Sequence, residues 1–271
     1  MSSPHSRQQA GFSLIELIIT IVLGGIVASM TTSILTLPIN AYIDNSRRAT
    51  LTDVAESALR RMQRDIRRAL PNSIRISDDG QTLELLHLVN GGRYRAFKDA
   101  NDVTCETSSI AVNCDMLDFT INDNGFDVIG SLNNFSNVTL GQDQVIIYPL
   151  ESTGANAYAS NDNRTTIAVG STSTHIVLNP SFHYPYPSPQ QRFFIVDTPI
   201  TYHCDTSQTD AKDKVLRRYS DYKIQDPQAL PTNPSLGVAP TLISVGSKVA
   251  TQSNYVSSCN FSYDSGSSTR S

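Results

Sequence analysis

Positions 17–43 form an uninterrupted run of 27 residues without a charged side chain, bounded by Glu16 and Asp44. At about 1.5 Å per residue this makes a helix of about 40 Å, longer than the ~30 Å hydrocarbon core of a bilayer. The rest of the chain has to be arranged around a membrane-spanning helix. The leader before it, residues 1–11, is polar, with Arg7 as its one formally charged side chain. Glu16 stands at the entrance of the run, where an ionised group without a partner is costly and marks a function or a pairing partner. If the chain is cut after Gly11, the new α-amino group of Phe12 lies four residues from Glu16, one helical turn away. In a row of parallel copies shifted along their axes, that amine can instead meet the Glu16 of a neighbour, so the acid acts as an assembly register. The competing reading is an uncleaved signal anchor whose Glu16 snorkels to the interface. A conventional secretory signal fits poorly, because its apolar region spans about 7 to 15 residues and ends at an Ala-x-Ala-like site.

The segment Gly11-Phe12-Ser13-Leu14-Ile15-Glu16, followed by the long apolar run, closely resembles the processing site of type IV pilins and type II secretion pseudopilins. The resemblance implies cleavage between Gly11 and Phe12 by a prepilin peptidase, methylation of the new amine, and Glu16 as the assembly-register residue. It further implies partners among major and minor pilins, an inner-membrane assembly platform and the lipid bilayer. The expected fold is α+β: a long N-terminal helix followed by a mainly antiparallel β head of enlarged minor-pilin type. The expected division is a removed cytoplasmic leader at 1–11, a transmembrane helix at 12–43, an amphipathic helix at 44–70 packing on the head, and a periplasmic or extracellular β-rich head at 71–271.

Beyond Asp44 the apolar residues Leu51, Val54, Ala55, Ala58, Leu59, Met62, Ile66 and Leu70 recur every three or four positions, the mark of one helical face, and Pro71 closes the segment. The helix is expected to run from Phe12 to Leu70, with Pro38 kinking or locally melting it and Gly24-Gly25 a second weak point. After Pro71 the texture becomes short apolar stretches separated by Asn, Asp, Gly, Ser and Thr. Strands are predicted at 73–77, 82–89, 94–97, 116–121, 126–129, 144–150, 165–169, 175–178, 192–204, 214–219, 242–245 and 255–263. Asn124-Gly125 reads as a hairpin turn. The proline-rich stretches 180–191 and 225–240 read as loops, since neither suits an inner strand.

Formal net charge is −4, which gives no reason to expect nucleic-acid binding. The distribution says more: eight arginines between 47 and 75 face only Asp53, Glu56 and Asp65, a basic stem below an acidic head. Arg7 on one side of the apolar run and Arg47-Arg48 on the other leave orientation undecided by charge; the cysteines and the resemblance both place the C-terminal part outside the cytoplasm. The four cysteines, Cys105, Cys114, Cys204 and Cys259, are read as disulfides. Three pairings are possible, and loop closure favours Cys105 with Cys114 and Cys204 with Cys259. Zinc is the rival, but no Cys-x-x-Cys pair is present.

His5, His87, His175, His183 and His203 are scattered, and no nucleophile elbow, phosphate loop or cofactor glycine pattern occurs. The chain is expected to be no enzyme and to need no cofactor or metal. Residues 122–127 faintly resemble a calcium loop but lack its closing acid, so a turn is preferred.

Three further segments narrow the resemblance to minor pilins of the mannose-sensitive haemagglutinin (MSHA) pilus system. They are Arg-Arg-Ala-Leu-Pro-Asn-Ser-Ile-Arg at 67–75, Arg-Phe-Phe-Ile-Val-Asp-Thr-Pro at 192–199 ahead of Thr-Tyr-His-Cys at 201–204, and Cys-Asn-Phe-Ser-Tyr-Asp at 259–264. What this implies is a low-abundance subunit, related in layout to J-type minor pseudopilins, that joins other minor pilins to prime or cap assembly. An adhesive tip subunit using the 180–191 loop is a further reading. Chains of this kind usually continue beyond the position of Ser271, so a shorter head or a truncated chain, with an open sheet edge, is expected.

Overall fold

The computed structural model describes residues 11–97, 114–150, 155–159, 162–231, 241–242 and 244–263. The chain divides into two compact units, Met1–Val54 and Ala55–Ser271. Its architecture is α+β: an N-terminal apolar helix and an antiparallel β head.

Helix α1 spans Leu14–Arg67 and is continuous through Gly24-Gly25 and Pro38. The expected local melting at Pro38 does not occur. One proline removes one backbone bond, on the order of 3 kcal/mol, which a helix of this length absorbs. The helix stops three residues before the expected Leu70, because the backbone there changes partner. The amide of Leu70 donates to the carbonyl of Leu86 at 2.8 Å, that of Leu88 donates to the carbonyl of Arg68 at 2.8 Å, and Ala69 bridges His87.

Among the described residues the head holds nine strands: β1 Arg75–Ile76, β2 Thr82–Arg93, β3 Asp123–Asp127, β4 Gln144–Ile147, β5 Arg164–Ile167, β6 His175–Phe182, β7 Arg192–Asp205, β8 Val215–Ser220 and β9 Lys248–Asn254. Their order is β1-β2-β7-β4-β5-β6-β3, with β8 on β7 and β9 on β8, and every ladder is antiparallel. Strand β7 is the spine. One of its edges pairs β2 from Arg192 to His203; the other pairs β4 at residues 193–196 and β8 at residues 201–205. Pro199, which has no N–H to give, falls where β4 has ended and β8 has not begun.

Alternation along β2 and β7 splits the interior into faces. Leu83 and Leu85 with Ile200, Tyr202 and Cys204 pack against Ala58 and Met62 of α1. Leu86 and Val196 turn the other way and join Leu70, Ile146 and Tyr158. The distal core gathers Tyr94, Phe126, Tyr184, Phe193 and Ile195, with Phe126 edge-on to Phe193 at 5.1 Å between centroids.

Several sequence expectations change. Asn124-Gly125 is no turn but lies inside β3, where Gly125 comes so close to the partner strand that a Cβ would sit 2.6 Å from the Ile176 carbonyl. Glycine serves here as the residue of a register shift. Strand β6 carries on through Pro180 to Phe182, because Pro180 is register partner to no residue of β3 or β5 and its missing N–H breaks no ladder bond, while its carbonyl accepts from the Thr165 hydroxyl at 2.9 Å. Residues 116–121 form no strand. Side-chain carboxylates, described below, hold that stretch in place of a ladder. Residues 242 and 244–246 are turn, and 255–263 run outside any ladder next to β9. Within 225–240, residues 232–240 lie outside the described residues.

Candidate functional site

The processing segment precedes α1: Gly11 and Phe12 are exposed, and the carbonyl of Ser13 accepts the amides of Glu16 at 3.0 Å and Leu17 at 3.2 Å to close the first turn. Glu16 sits in that turn, where the positive end of the helix dipole favours an acid. Ser13-x-x-Glu16 also has the spacing of a capping box, a purely local role for the same side chain. The window Leu14–Thr31 is long and apolar enough to cross a membrane. Its side chains are exposed all round, among them Ile18, Ile19, Val22 and Leu23. Its hydroxyls satisfy themselves within the helix, Thr20 on the Leu17 carbonyl, Ser29 on Ile26 and Thr31 on Val27. Internal satisfaction of polar groups is what hydrocarbon demands.

Cys204, fully buried in β7, is joined to Cys259 with Cα atoms 6.0 Å apart. Cys114 is disulfide-bonded, and Cys105 lies outside the described residues. Among the described residues no group of three or more His, Cys, Asp or Glu side chains is placed to hold a metal.

Two charged positions that sequence reasoning missed anchor the head. Asp65, on the inward seam of α1 with Ala58 and Met62, accepts from the Tyr202 hydroxyl and from Arg218 Nε, both at 2.7 Å. Glu84 is fully buried on the opposite face of β2. Arg75 Nε donates to it at 2.9 Å and the Tyr222 hydroxyl at 3.1 Å, while Arg75 also donates to the carbonyls of Gln225 and Asp226 and stacks 3.6 Å over the Tyr158 ring. Burial pushes the Glu84 carboxyl up, and Arg75 pulls it back. No sign of this stands in the sequence: an acid between Leu83 and Leu85 in an alternating strand falls on the face opposite the two leucines, and that face is buried here only because other parts of the head cover it.

Where β4 and β8 diverge along β7, a polar cleft of about 770 Å³ opens, lined by Asp143, Gln144, Arg164, Asp197, Asp221 and Tyr222 among others. Asp197 pairs with His87 at 3.0 Å, which raises the His87 pKa. A shallower, more apolar groove of about 370 Å³ lies beside Pro189 and Gln190, with Tyr148 and Phe194 in its wall.

At the far end of the sheet, the Asp115 amide donates to Asp127 at 2.9 Å and the Asp118 amide to Asp123 at 2.7 Å. His175 Nδ1 lies 2.8 Å from Asp127, and its Nε2 is 3.8 Å from Asp115. Burial, reinforced by the Asp123 and Asp127 charges and opposed by His175, pushes the Asp115 carboxyl up from 3.8 to about 6. A raised carboxyl binds its proton more tightly in the folded state, so its unfavourable contribution is complete above pH 6 and disappears as pH falls toward 3.8. Asp115→Asn should therefore stabilise the head above pH 6 and converge with the parent near pH 4, read as the difference between two urea unfolding series. A difference that is constant across that window would refute the assignment.

Residues 6–32 match the model of the prokaryotic N-terminal methylation motif, a stretch that includes Gly11, Phe12 and Glu16. No curated protein and no solved structure matches the chain. The motif, followed by an apolar helix and an antiparallel β head, supports a type IV pilin or pseudopilin anchored in a membrane. In general it implies processing by a prepilin peptidase and assembly with other pilins.

Proposed function

We propose that the chain is a minor type IV pilin of MSHA type, resembling the minor pilin MshO, which joins other minor pilins to prime or cap pilus assembly. It has no enzymatic role. The observation that carries this reading is the methylation motif at residues 6–32, with Glu16 in the first turn of the apolar helix. The minor-pilin assignment leans on the junction segment 67–75, where Arg75 reaches into the head. On this reading the leader 1–11 is cytoplasmic and is removed, Glu16 pairs with a neighbour's methylated amine, and the head faces the periplasm before entering a pilus. The same motif serves a J-type minor pseudopilin of type II secretion, and the phenotype of a deletion, lost pili or lost secretion, separates the two. The groove beside Pro189 supports the adhesive-tip variant of the same reading.

The test is the N-terminal mass of the protein from cells with and without a prepilin peptidase. A chain beginning at methylated Phe12 only when the peptidase is present supports the proposal; residues 1–11 retained in both strains would overturn it. Glu16→Ala is expected to leave membrane insertion intact and abolish incorporation into pili. Glu16→Gln keeps the capping-box geometry but removes the charge. It should fail in the same way if the register is electrostatic, and normal incorporation of the Gln variant would reduce Glu16 to a local cap.

A further inference from the structure

The polar cleft where β4 and β8 diverge along β7 holds two cations, Arg164 and Lys223, that have no acidic partner among the described residues. Arg164, on β5, is half-buried. It donates from Nη1 to the Gln144 side-chain oxygen at 2.8 Å and from Nη2 to the Tyr158 carbonyl at 3.3 Å, both neutral acceptors. Its Nε is buried with no partner, so those two bonds use two of its five N–H donors. Burial pulls the guanidinium pKa down, and Asp226, outside ion-pair distance, restores only part of it. Lys223 is exposed in the same lining. The three acids of the cleft, by contrast, are each provided for. Asp197 takes His87, Asp221 takes Lys248 at 2.7 Å, and buried Asp143 accepts the Thr139 amide at 2.8 Å while burial pushes its carboxyl up. Beside them the side chains of Gln142, Thr166 and Thr198 line the cleft with no hydrogen-bond partner of their own.

A half-buried guanidinium without a counter-charge is costly, and an anion that supplies the charge gains paired N–H···O bonds. The cleft's 770 Å³ lies within the ~300–1,000 Å³ of small-molecule sites, room for much more than a single ion. Ile224 and Val245 are the only aliphatic side chains in the described lining, which offers a lipid chain little to pack on. A phosphate brings close to two charges near neutral pH and would meet three carboxylates in the same space. A carboxylate brings one. Hydroxyls on the same ligand would donate to those acids and bond the free amide and hydroxyl groups of Gln142, Thr166 and Thr198. We infer that the cleft is a binding site for a carboxylated sugar, its carboxylate on Arg164 and Lys223 and its hydroxyls on the neutral groups and acids opposite. A uronate residue of an acidic polysaccharide and a terminal sialic acid share that chemistry. The site is built within the head and does not depend on which filament the chain joins.

Isothermal titration calorimetry of the full chain in detergent tests this, with trigalacturonate, N-acetylneuraminate, neutral maltotriose and inorganic phosphate as probes. At least one acidic sugar is expected to bind about tenfold or more tighter than maltotriose. Trigalacturonate ahead of neuraminate identifies the polysaccharide source, and the reverse order the terminal sugar. Arg164→Met should weaken the acidic sugar by about tenfold or more. Arg164→Lys, which keeps the charge but not the planar fork, should fall between Met and the parent. Lys223→Glu, at an exposed position, reads the same site with little risk to the fold and should also weaken the acidic sugar while leaving the urea unfolding midpoint unchanged. Four results would each overturn the inference: no acidic sugar bound at millimolar concentration, maltotriose bound equally well, phosphate bound as tightly as either acidic sugar, or affinity unmoved by Lys223→Glu.

Discussion

Arg75→Ala is expected to destabilise the head by about 3–5 kcal/mol, the range for removing one partner of a buried ion pair. The reason is the position of Glu84, fully buried on β2, which depends on Arg75 Nε at 2.9 Å and the Tyr222 hydroxyl at 3.1 Å. Without Arg75 the carboxylate keeps one neutral donor in an apolar surrounding, and the carbonyls of Gln225 and Asp226 lose their cationic partner. Burial already pushes the Glu84 carboxyl up and Arg75 opposes it, so the variant's carboxyl rises further. The sign follows: a raised folded pKa means stability that falls as pH rises, and the loss in Arg75→Ala should be larger at alkaline than at mildly acidic pH. Urea unfolding of the full chain in detergent, followed by tyrosine fluorescence, measures it. The double variant Arg75→Met/Glu84→Leu should recover much of the loss, because the unpaired charge goes with its partner. A loss below about 1 kcal/mol in Arg75→Ala would mean that water reaches Glu84 and that the pair is of the weak surface kind.

Cys204→Ser/Cys259→Ser should cost about 4 kcal/mol, the chain-entropy value for closing a loop between cysteines 55 residues apart. The bond does more than shorten the unfolded chain. Residues 255–261 form no ladder, and besides Cys259 they are held by few backbone bonds, the Val256 amide on the Lys214 carbonyl at 3.0 Å and the Phe261 amide on the Gly80 carbonyl at 2.7 Å. Gly80 has φ +68°, and a Cβ there would collide with the Asn260 side chain, so the turn and this segment fit only each other. Hydrogen exchange should show protection lost first across 255–261 in the double variant, then in β8 and β9. Equal protection in the parent and the variant would show that the segment is held by packing alone.

What was legible in the sequence was local. The uncharged run, Glu16 at its entrance and the Gly11-Phe12 step are read from residues close in sequence, and the motif match at 6–32 covers Gly11, Phe12, Glu16 and the first part of the run. The two longest strands show in alternation, predicted at 82–89 and 192–204 and observed at Thr82–Arg93 and Arg192–Asp205. Where local signals misled, a distant partner had decided. Asn124-Gly125 carries hairpin chemistry, yet Gly125 is needed because Ile176 approaches it across a ladder. Leu59 and Ile66 fit the helical stripe by spacing, but the seam that meets the sheet runs through Ala58, Met62 and Asp65, and they stay exposed.

The sequence by itself determined that the chain has a membrane-length helix, a processing signature and a stem leading to a β-rich domain, because each follows from composition and spacing over a few turns. Only the tertiary structure decided that β7 is the spine shared by β2, β4 and β8, that buried Glu84 and half-buried Asp65 each have an arginine partner, and that among the described residues Arg61, Arg64, Arg67 and Arg68 of the stem have no ion-pair partner. Those outcomes depend on residues from about 10 to more than 150 positions apart meeting across the sheet, and no local preference encodes which of them will meet.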